Sequence, residues 1–214
     1  MSRDISVIGI GPGSLEYLLP AALRKVEGAD VLIGGSRALE LFQPFNEEKE
    51  TFTIKGDLRA VIEYLHNLSP DKKVAILVSG DPGFYSFLNF LKENYPSGNI
   101  SVIPGISSVQ LAFARIKSSW HDACLVSLHG RRRENLANYL EEKLQEYPKV
   151  AILTDSQLTP DGVARLLLEE GFKDRHSYVL TDLTMPTEKV KELPLTELAQ
   201  SREKGNSVVI IEND

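Results

Sequence analysis

The sequence predicts an α/β fold in two domains. Three observations carry this: short aliphatic runs without polar alternation, amphipathic segments of helical spacing between them, and a break in that pattern over residues 117–122. Runs without alternation read as strands buried on both faces, the kind that parallel sheets use beneath their helices. The break divides the 214 residues into 1–117 and 118–214, halves of similar size that can each bury a core. Strands alternating with helices predict a mainly parallel first sheet, and the shorter elements that close the chain predict a mixed, partly antiparallel second one.

Residues 5–10 form the first strand, ending in Gly9-Ile10-Gly11-Pro12-Gly13, and Leu18, Leu19, Ala22, Leu23 and Val26 then keep helical spacing. This turn departs from a dinucleotide-binding fingerprint. Ser14 replaces its third glycine, and Pro12 removes a backbone N–H where a pyrophosphate would want one. A second strand, residues 31–33, ends in Gly34-Gly35-Ser36 rather than in the acid that holds a ribose, which argues against a nicotinamide dehydrogenase. A short helix over 36–42, a strand over 51–54 and an amphipathic helix over 57–68, with Leu58, Val61, Ile62 and Leu65 on one face, read as scaffold.

Residues 74–86, VAILVSGDPGFYS, are the most informative stretch. The aliphatic run stops at Ser79-Gly80, and Asp81 reads as the N-cap of a helix with Pro82 at its first position. Ligands of open α/β sheets bind beyond the carboxyl ends of the strands, so this corner is a candidate site, although a plain cap would use the same residues. A strand over 100–103 leads to a second polar corner, Pro104-Gly105-Ile106-Ser107-Ser108, and a helix over 109–116. Ser107 and Ser108 either leave backbone N–H groups reachable by a ligand or simply cap that helix. Trp120 and His121 lie in the break, where such a pair packs between domains or lines a cleft.

The second half predicts strands over 124–128, 150–153, 178–183, 188–191 and 208–211. Helices are predicted over 135–147 and 158–170, with a short one from Pro194. Between residues 128 and 135 lies His129-Gly130-Arg131-Arg132-Arg133, the densest positive charge in the chain. Arginines at a helix start oppose the macrodipole; they suit either a carboxylate-rich or phosphate-bearing ligand gripped by guanidinium forks, or a solvated turn.

Composition narrows the function. A net charge of -6 argues against a polyanion-binding surface, and so against nucleic acid. Cys124 is the only cysteine, which excludes an intrachain disulfide and a paired-cysteine metal site and fits the reducing cytoplasm. It opens an apolar strand and reads as an inert, packed thiol. His66, His121, His129 and His176 lack ligand spacing, so no metal is expected. Neither GxxxxGK[ST] nor GxSxG occurs. The start, MSRDISVIGIG, suits a first strand better than a signal peptide, and nowhere is there a run of about 18 apolar residues to span a membrane.

In their order and spacing, SVIGIGPG, VLIGG with Ser36-Arg37, VSGDPGFYS, VIPGISSVQLAFARI and VSLHGR resemble the tetrapyrrole (corrin/porphyrin) methylases, over essentially the whole length. The resemblance implies two α/β domains with S-adenosylmethionine in the cleft between them, S-adenosylhomocysteine as product, and a homodimer. The pattern looks most like the group that methylates C5 of a (cobalt-)precorrin in cobalamin biosynthesis. Other members act on different ring carbons, on diphthine or on ribosomal RNA, and a non-catalytic nucleotide-binding module is the alternative of another class. Carried over onto this chain, the cofactor contacts are Pro12, Ser79, Gly80, Asp81, Phe84, Ser107 and Ser108, with Leu128, His129, Leu153, Thr154 and Leu183 assigned by position. Because a precorrin bears many carboxylates, Arg131, Arg132, Arg133, Arg115 and Arg37 are the expected clamps. Methyl transfer by positioning needs no metal and no covalent enzyme intermediate. A separate decarboxylating precorrin methyltransferase is the expected partner, since the chain stops at Asp214.

Overall fold

The computed structural model describes residues 3–46, 48–96, 99–128, 135–203 and 207–213. They group into two compact units, Met1–Ser107 and Ser108–Asp214.

The first unit contains β1 (Asp4–Gly9), α1 (Pro20–Glu27), β2 (Val31–Gly34), α2 (Ser36–Leu41), β3 (Glu50–Thr53), α3 (Leu58–Asn67), β4 (Val74–Val78), α4 (Leu88–Asn94) and β5 (Asn99–Ile103). Its sheet runs β3-β2-β4-β1-β5, and every neighbouring pair is parallel. Successive side chains of a strand face opposite ways. Ile8, Leu32, Ala75 and Leu77 therefore pack with Ala22 and Val26 of α1 and Leu39 of α2. Ile5, Val7, Ile33 and Ile76 pack on the other side with Val61 and Leu65 of α3 and Leu91 of α4. Burial on both faces is why all five residues of β4 are aliphatic. The chain leaves β1 toward β2 and leaves β4 toward β5, in opposite directions along the sheet, so the adjacent β1 and β4 form a topological switch point.

Local chemistry fixes the helix ends. Asp57 caps α3, its Oδ1 accepting the Arg59 N–H at 2.9 Å. At the other end of α3 the buried Arg3 donates to the carbonyls of Leu65, Leu68 and Ser69 and to the Tyr95 hydroxyl. A cation there meets both the orphan carbonyls and the negative end of the macrodipole.

One sequence expectation fails in this unit. The helix expected from Pro82 starts only at Leu88, so Asp81 is not its N-cap. Asp81 Oδ1 instead accepts the Gly83 N–H at 2.7 Å in a side-chain turn, and Tyr85 adopts a left-handed φ of 50° through which a right-handed helix cannot run.

The second unit contains α5 (Ser108–Arg115), β6 (Ala123–Ser127), α6 (Leu136–Glu146), β7 (Lys149–Leu153), α7 (Pro160–Glu169), β8 (His176–Thr181), β9 (Lys189–Pro194), α8 (Leu195–Leu198) and β10 (Ser207–Glu212). Its sheet runs β6-β7-β10-β8-β9; β6 and β7 are parallel and the remaining pairs antiparallel. Leu140, Leu144, Ile152, Val163, Leu167 and Val209 form its core. The sequence reading kept α5 with residues 1–117; α5 contacts β10, which groups it with the second unit. Among the described residues, no helix is long and apolar enough to cross a membrane.

Candidate active site

The carboxyl ends of β1, β4 and β5 carry three loops that meet in backbone contact. A Cβ on Gly9 would lie 2.6 Å from both the Gly105 nitrogen and the Gly80 carbonyl oxygen, and one on Gly105 would lie 2.7 Å from the Gly9 carbonyl carbon. Only glycine fits at these two positions. Gly80, with a φ of 68°, faces Gly11 in a short bridge in which each N–H donates to the other's carbonyl, at 2.9 and 3.4 Å. Asp81 ties the second loop to the third: Oδ2 accepts the Gly105 N–H at 3.0 Å while Oδ1 holds Gly83. A carboxylate that accepts two backbone N–H groups fixes both loops through charge-assisted bonds.

Of the residues expected to form the site, Pro12, Ser79, Gly80, Asp81, Phe84 and Ser107 all lie on these loops. Ser107 is buried, Phe84 is half-buried, and the Phe84 and Tyr85 rings meet edge to face at 4.9 Å, leaving Tyr85 exposed. Arg37 stands exposed at the second position of α2, directly after β2. Because β2 runs parallel to β4, Arg37 is at the same end of the sheet as the glycine loops.

The second unit gathers its own set. Ser108 is the first residue of α5. Leu128, Leu153, Thr154 and Leu183 follow or end β6, β7 and β8 at one end of the second sheet, where β10 begins. The Leu128 N–H donates to the Leu153 carbonyl at 2.9 Å, and the Thr154 N–H and hydroxyl both donate to the Ser207 carbonyl at 3.1 Å. Leu128, Thr154 and Leu183 are buried. Asp155, next in line, accepts the N–H groups of Gln157 and Leu158 at 2.8 Å and so shapes the turn after β7.

Arg115, expected as a substrate clamp, donates from Nε and Nη2 to the two carboxylate oxygens of Glu188 at 2.6 and 3.3 Å. The Arg115 hydrogen bond holds the Glu188 carboxyl below the ordinary glutamate value, with burial opposing and the Thr184 N–H adding to the effect. His129, Arg131, Arg132 and Arg133 lie outside the described residues. Among the described residues, no group of three or more His, Cys, Asp or Glu side chains is placed to hold a metal.

Sequence reasoning missed the contact between Gly9 and Gly105 and the parts of Ser207 and Glu188. Both glycines stand inside sequence motifs, SVIGIGPG and VIPGISSVQLAFARI, where they read as turn residues. Ser207 carried no local signal, since the partner that gives it meaning, Thr154, is 53 residues away.

The profile of the Tetrapyrrole (Corrin/Porphyrin) Methylases matches residues 4–199. The chain is 37% identical over 216 residues to the "Probable cobalt-precorrin-7 C(5)-methyltransferase" of Methanocaldococcus jannaschii, covering 98% of each protein. It is 33% identical over 208 residues to the cobalt-precorrin-7 C(5)-methyltransferase of Salmonella typhimurium, covering 97% of this chain and 98% of that one. Its fold matches the crystal structure of the Thermus thermophilus uroporphyrin-III C-methyltransferase complexed with S-adenosylhomocysteine, with a TM-score of 0.74, 19% identity, and coverage of 98% of this chain and 92% of that one. Two α/β units with a parallel and a mixed sheet, glycine loops at a switch point, and these near-complete matches place this chain in the family of tetrapyrrole (corrin/porphyrin) methylases.

Proposed function

We propose that this chain transfers a methyl group from S-adenosylmethionine to C5 of a (cobalt-)precorrin in cobalamin biosynthesis. The observation that carries the reading is the identity of 37% to a "Probable cobalt-precorrin-7 C(5)-methyltransferase" and of 33% to a cobalt-precorrin-7 C(5)-methyltransferase, along nearly the whole of each chain. The loop geometry supports it. Gly9 and Gly105 let the three strand-end loops meet backbone to backbone, which brings the expected cofactor contacts Ser79, Gly80 and Ser107 to one place.

S-adenosylmethionine, when bound, supplies an electrophilic methyl on a sulfonium centre. The residues of this chain act by binding and orientation. The proposed cofactor contacts are Pro12, Ser79, Gly80, Asp81, Phe84, Ser107, Ser108, Leu128, His129, Leu153, Thr154 and Leu183. Backbone carbonyls of the glycine loops suit weak C–H···O contacts to a polarised methyl. Asp81 keeps these loops in register through its bonds to Gly83 and Gly105. Arg37, with Arg131, Arg132 and Arg133, pairs with peripheral carboxylates of the macrocycle. Bringing two reactants together in line and excluding water supplies most of such a rate enhancement, on the order of 7–11 kcal/mol in favourable cases.

On this reading the enzyme works in the cytoplasm as a homodimer. Calorimetric titration of one preparation with S-adenosylmethionine, S-adenosylhomocysteine and NAD tests the cofactor assignment. Saturable binding of the first two and none of the third is expected; no binding of the first two refutes it.

A further inference from the structure

The loop of residues 182–188, between β8 and β9, is held in an unusual shape. Asp182 and Thr184 adopt left-handed φ values of 51° and 71° on either side of the buried Leu183. Residues other than glycine stay in that region only where their surroundings over-determine them. Here the surroundings are specific. The Met185 N–H donates to the Asp182 carbonyl and the Glu188 N–H to the Met185 carbonyl, both at 2.9 Å. The Thr187 hydroxyl donates to Asp182 Oδ2 at 3.1 Å.

The remaining tie comes from outside the loop. Glu188 Oε2 accepts the Thr184 N–H at 2.7 Å, and both Glu188 oxygens accept from the fork of Arg115. Arg115 is the last residue of α5, whose first residue is Ser108. A single short helix therefore has a candidate cofactor contact at one end and, at the other, the cation that organises the turn around Leu183.

We infer that Arg115 and Glu188 are positioning residues, whose ion pair sets the loop of residues 182–188 and so places Leu183 for the cofactor. This rests on the methyl-transfer reading above and changes the role of Arg115, because Glu188 takes the fork that would grip a substrate carboxylate. The two side chains are 33% and 23% exposed. Ion pairs that reach solvent contribute little to global stability. Breaking this one should therefore show in the site before it shows in the melting temperature.

The test is calorimetry with S-adenosylhomocysteine, and steady-state methyl transfer, on the full chain and on Glu188→Gln, Arg115→Met and Arg115→Lys. Arg165→Met, which breaks the ion pair between Arg165 and Asp161 on α7, is the control. Glu188→Gln and Arg115→Met should raise the Kd for S-adenosylhomocysteine and the KM for S-adenosylmethionine roughly tenfold, with kcat within about twofold. Arg115→Lys, which keeps the charge and loses the fork, should fall between them and the wild type. Wild-type affinity in Glu188→Gln and Arg115→Met, or an equal loss in Arg165→Met, overturns this inference alone. A wild-type chain that binds no S-adenosylhomocysteine overturns the reading beneath it as well.

Discussion

Gly9 and Gly105 touch through their backbones: a Cβ on Gly105 would sit 2.7 Å from the Gly9 carbonyl carbon and 2.8 Å from its Cα. The two residues lie at the carboxyl ends of adjacent parallel strands, with Gly80 from the strand on the other side of β1 completing the contact. Neither Gly9 nor Gly105 has a left-handed φ, so glycine is required there by space and not by conformation. Close approach of three backbones is what brings the loops of the candidate site to one place.

Gly105→Ala is the direct probe of that contact. Backbone cannot yield as a flexible side chain does, so the methyl should cost at least about 1–3 kcal/mol of stability. Urea unfolding measures it. A variant as stable as the wild type would mean that the loops do not meet as described.

Asp81→Ala removes the acceptor for both the Gly83 and the Gly105 N–H. Each bond to a charged group contributes about 1.5–3 kcal/mol, so a fall in melting temperature is expected together with weaker S-adenosylhomocysteine binding. Loss of stability alone would leave Asp81 as a loop tie without a part in the cofactor pocket.

How much was legible in the sequence depends on the range of the interaction. Both sheets were readable, because burial on two faces writes itself into consecutive aliphatic residues such as Val74, Ala75, Ile76, Leu77 and Val78. The polar corners were readable too, since they fall where those runs stop. The start of α4 was misread because Asp81-Pro82 has the residue types of a cap. What decided against a helix was the Asp81 bond to Gly83, a side-chain turn that Asp-Pro-Gly signals as well as it signals a cap, and the left-handed Tyr85, which has no residue-type signal. Pairs such as Arg115 with Glu188, 73 residues apart, were out of reach for local pattern. Residue type marks Arg115 as a candidate cation and says nothing of Glu188 as its partner.

Arg37 separates substrate from cofactor. It lies at the same sheet end as the glycine loops and is exposed. Arg37→Ala should raise KM for the macrocycle roughly tenfold, the size of one charge-assisted contact, and leave S-adenosylhomocysteine affinity unchanged. Steady-state kinetics varying each substrate in turn checks this; an unchanged macrocycle KM removes Arg37 from the clamp.

Acid should weaken the fold mainly through Asp161, with Glu188 adding the small part that an ion pair reaching solvent contributes. Glu188 is held below its ordinary value of 4.5, chiefly by the Arg115 hydrogen bond. Asp161 is held below 3.8: burial pushes it up, but hydrogen bonds from Thr159 and Arg165 and the Arg165 charge outweigh that. Both groups bind protons more readily in the unfolded chain, so the stability they confer is complete above their unfolded values and is lost as pH falls through those values toward the folded ones. The melting temperature should hold near neutrality and decline below about pH 5. Asp161→Asn should flatten that decline and Glu188→Gln should do so only slightly, and an acid profile of Asp161→Asn identical to that of the wild type would contradict the assignment.

The most direct test of the account is transfer of a carbon-13 methyl from labelled S-adenosylmethionine to cobalt-precorrin-7 by the purified chain, with the product read by carbon-13 NMR. The expected result is one labelled methyl on C5 of the macrocycle and stoichiometric S-adenosylhomocysteine. Label on another ring carbon, or no label in the macrocycle while the cofactor is bound, would contradict it.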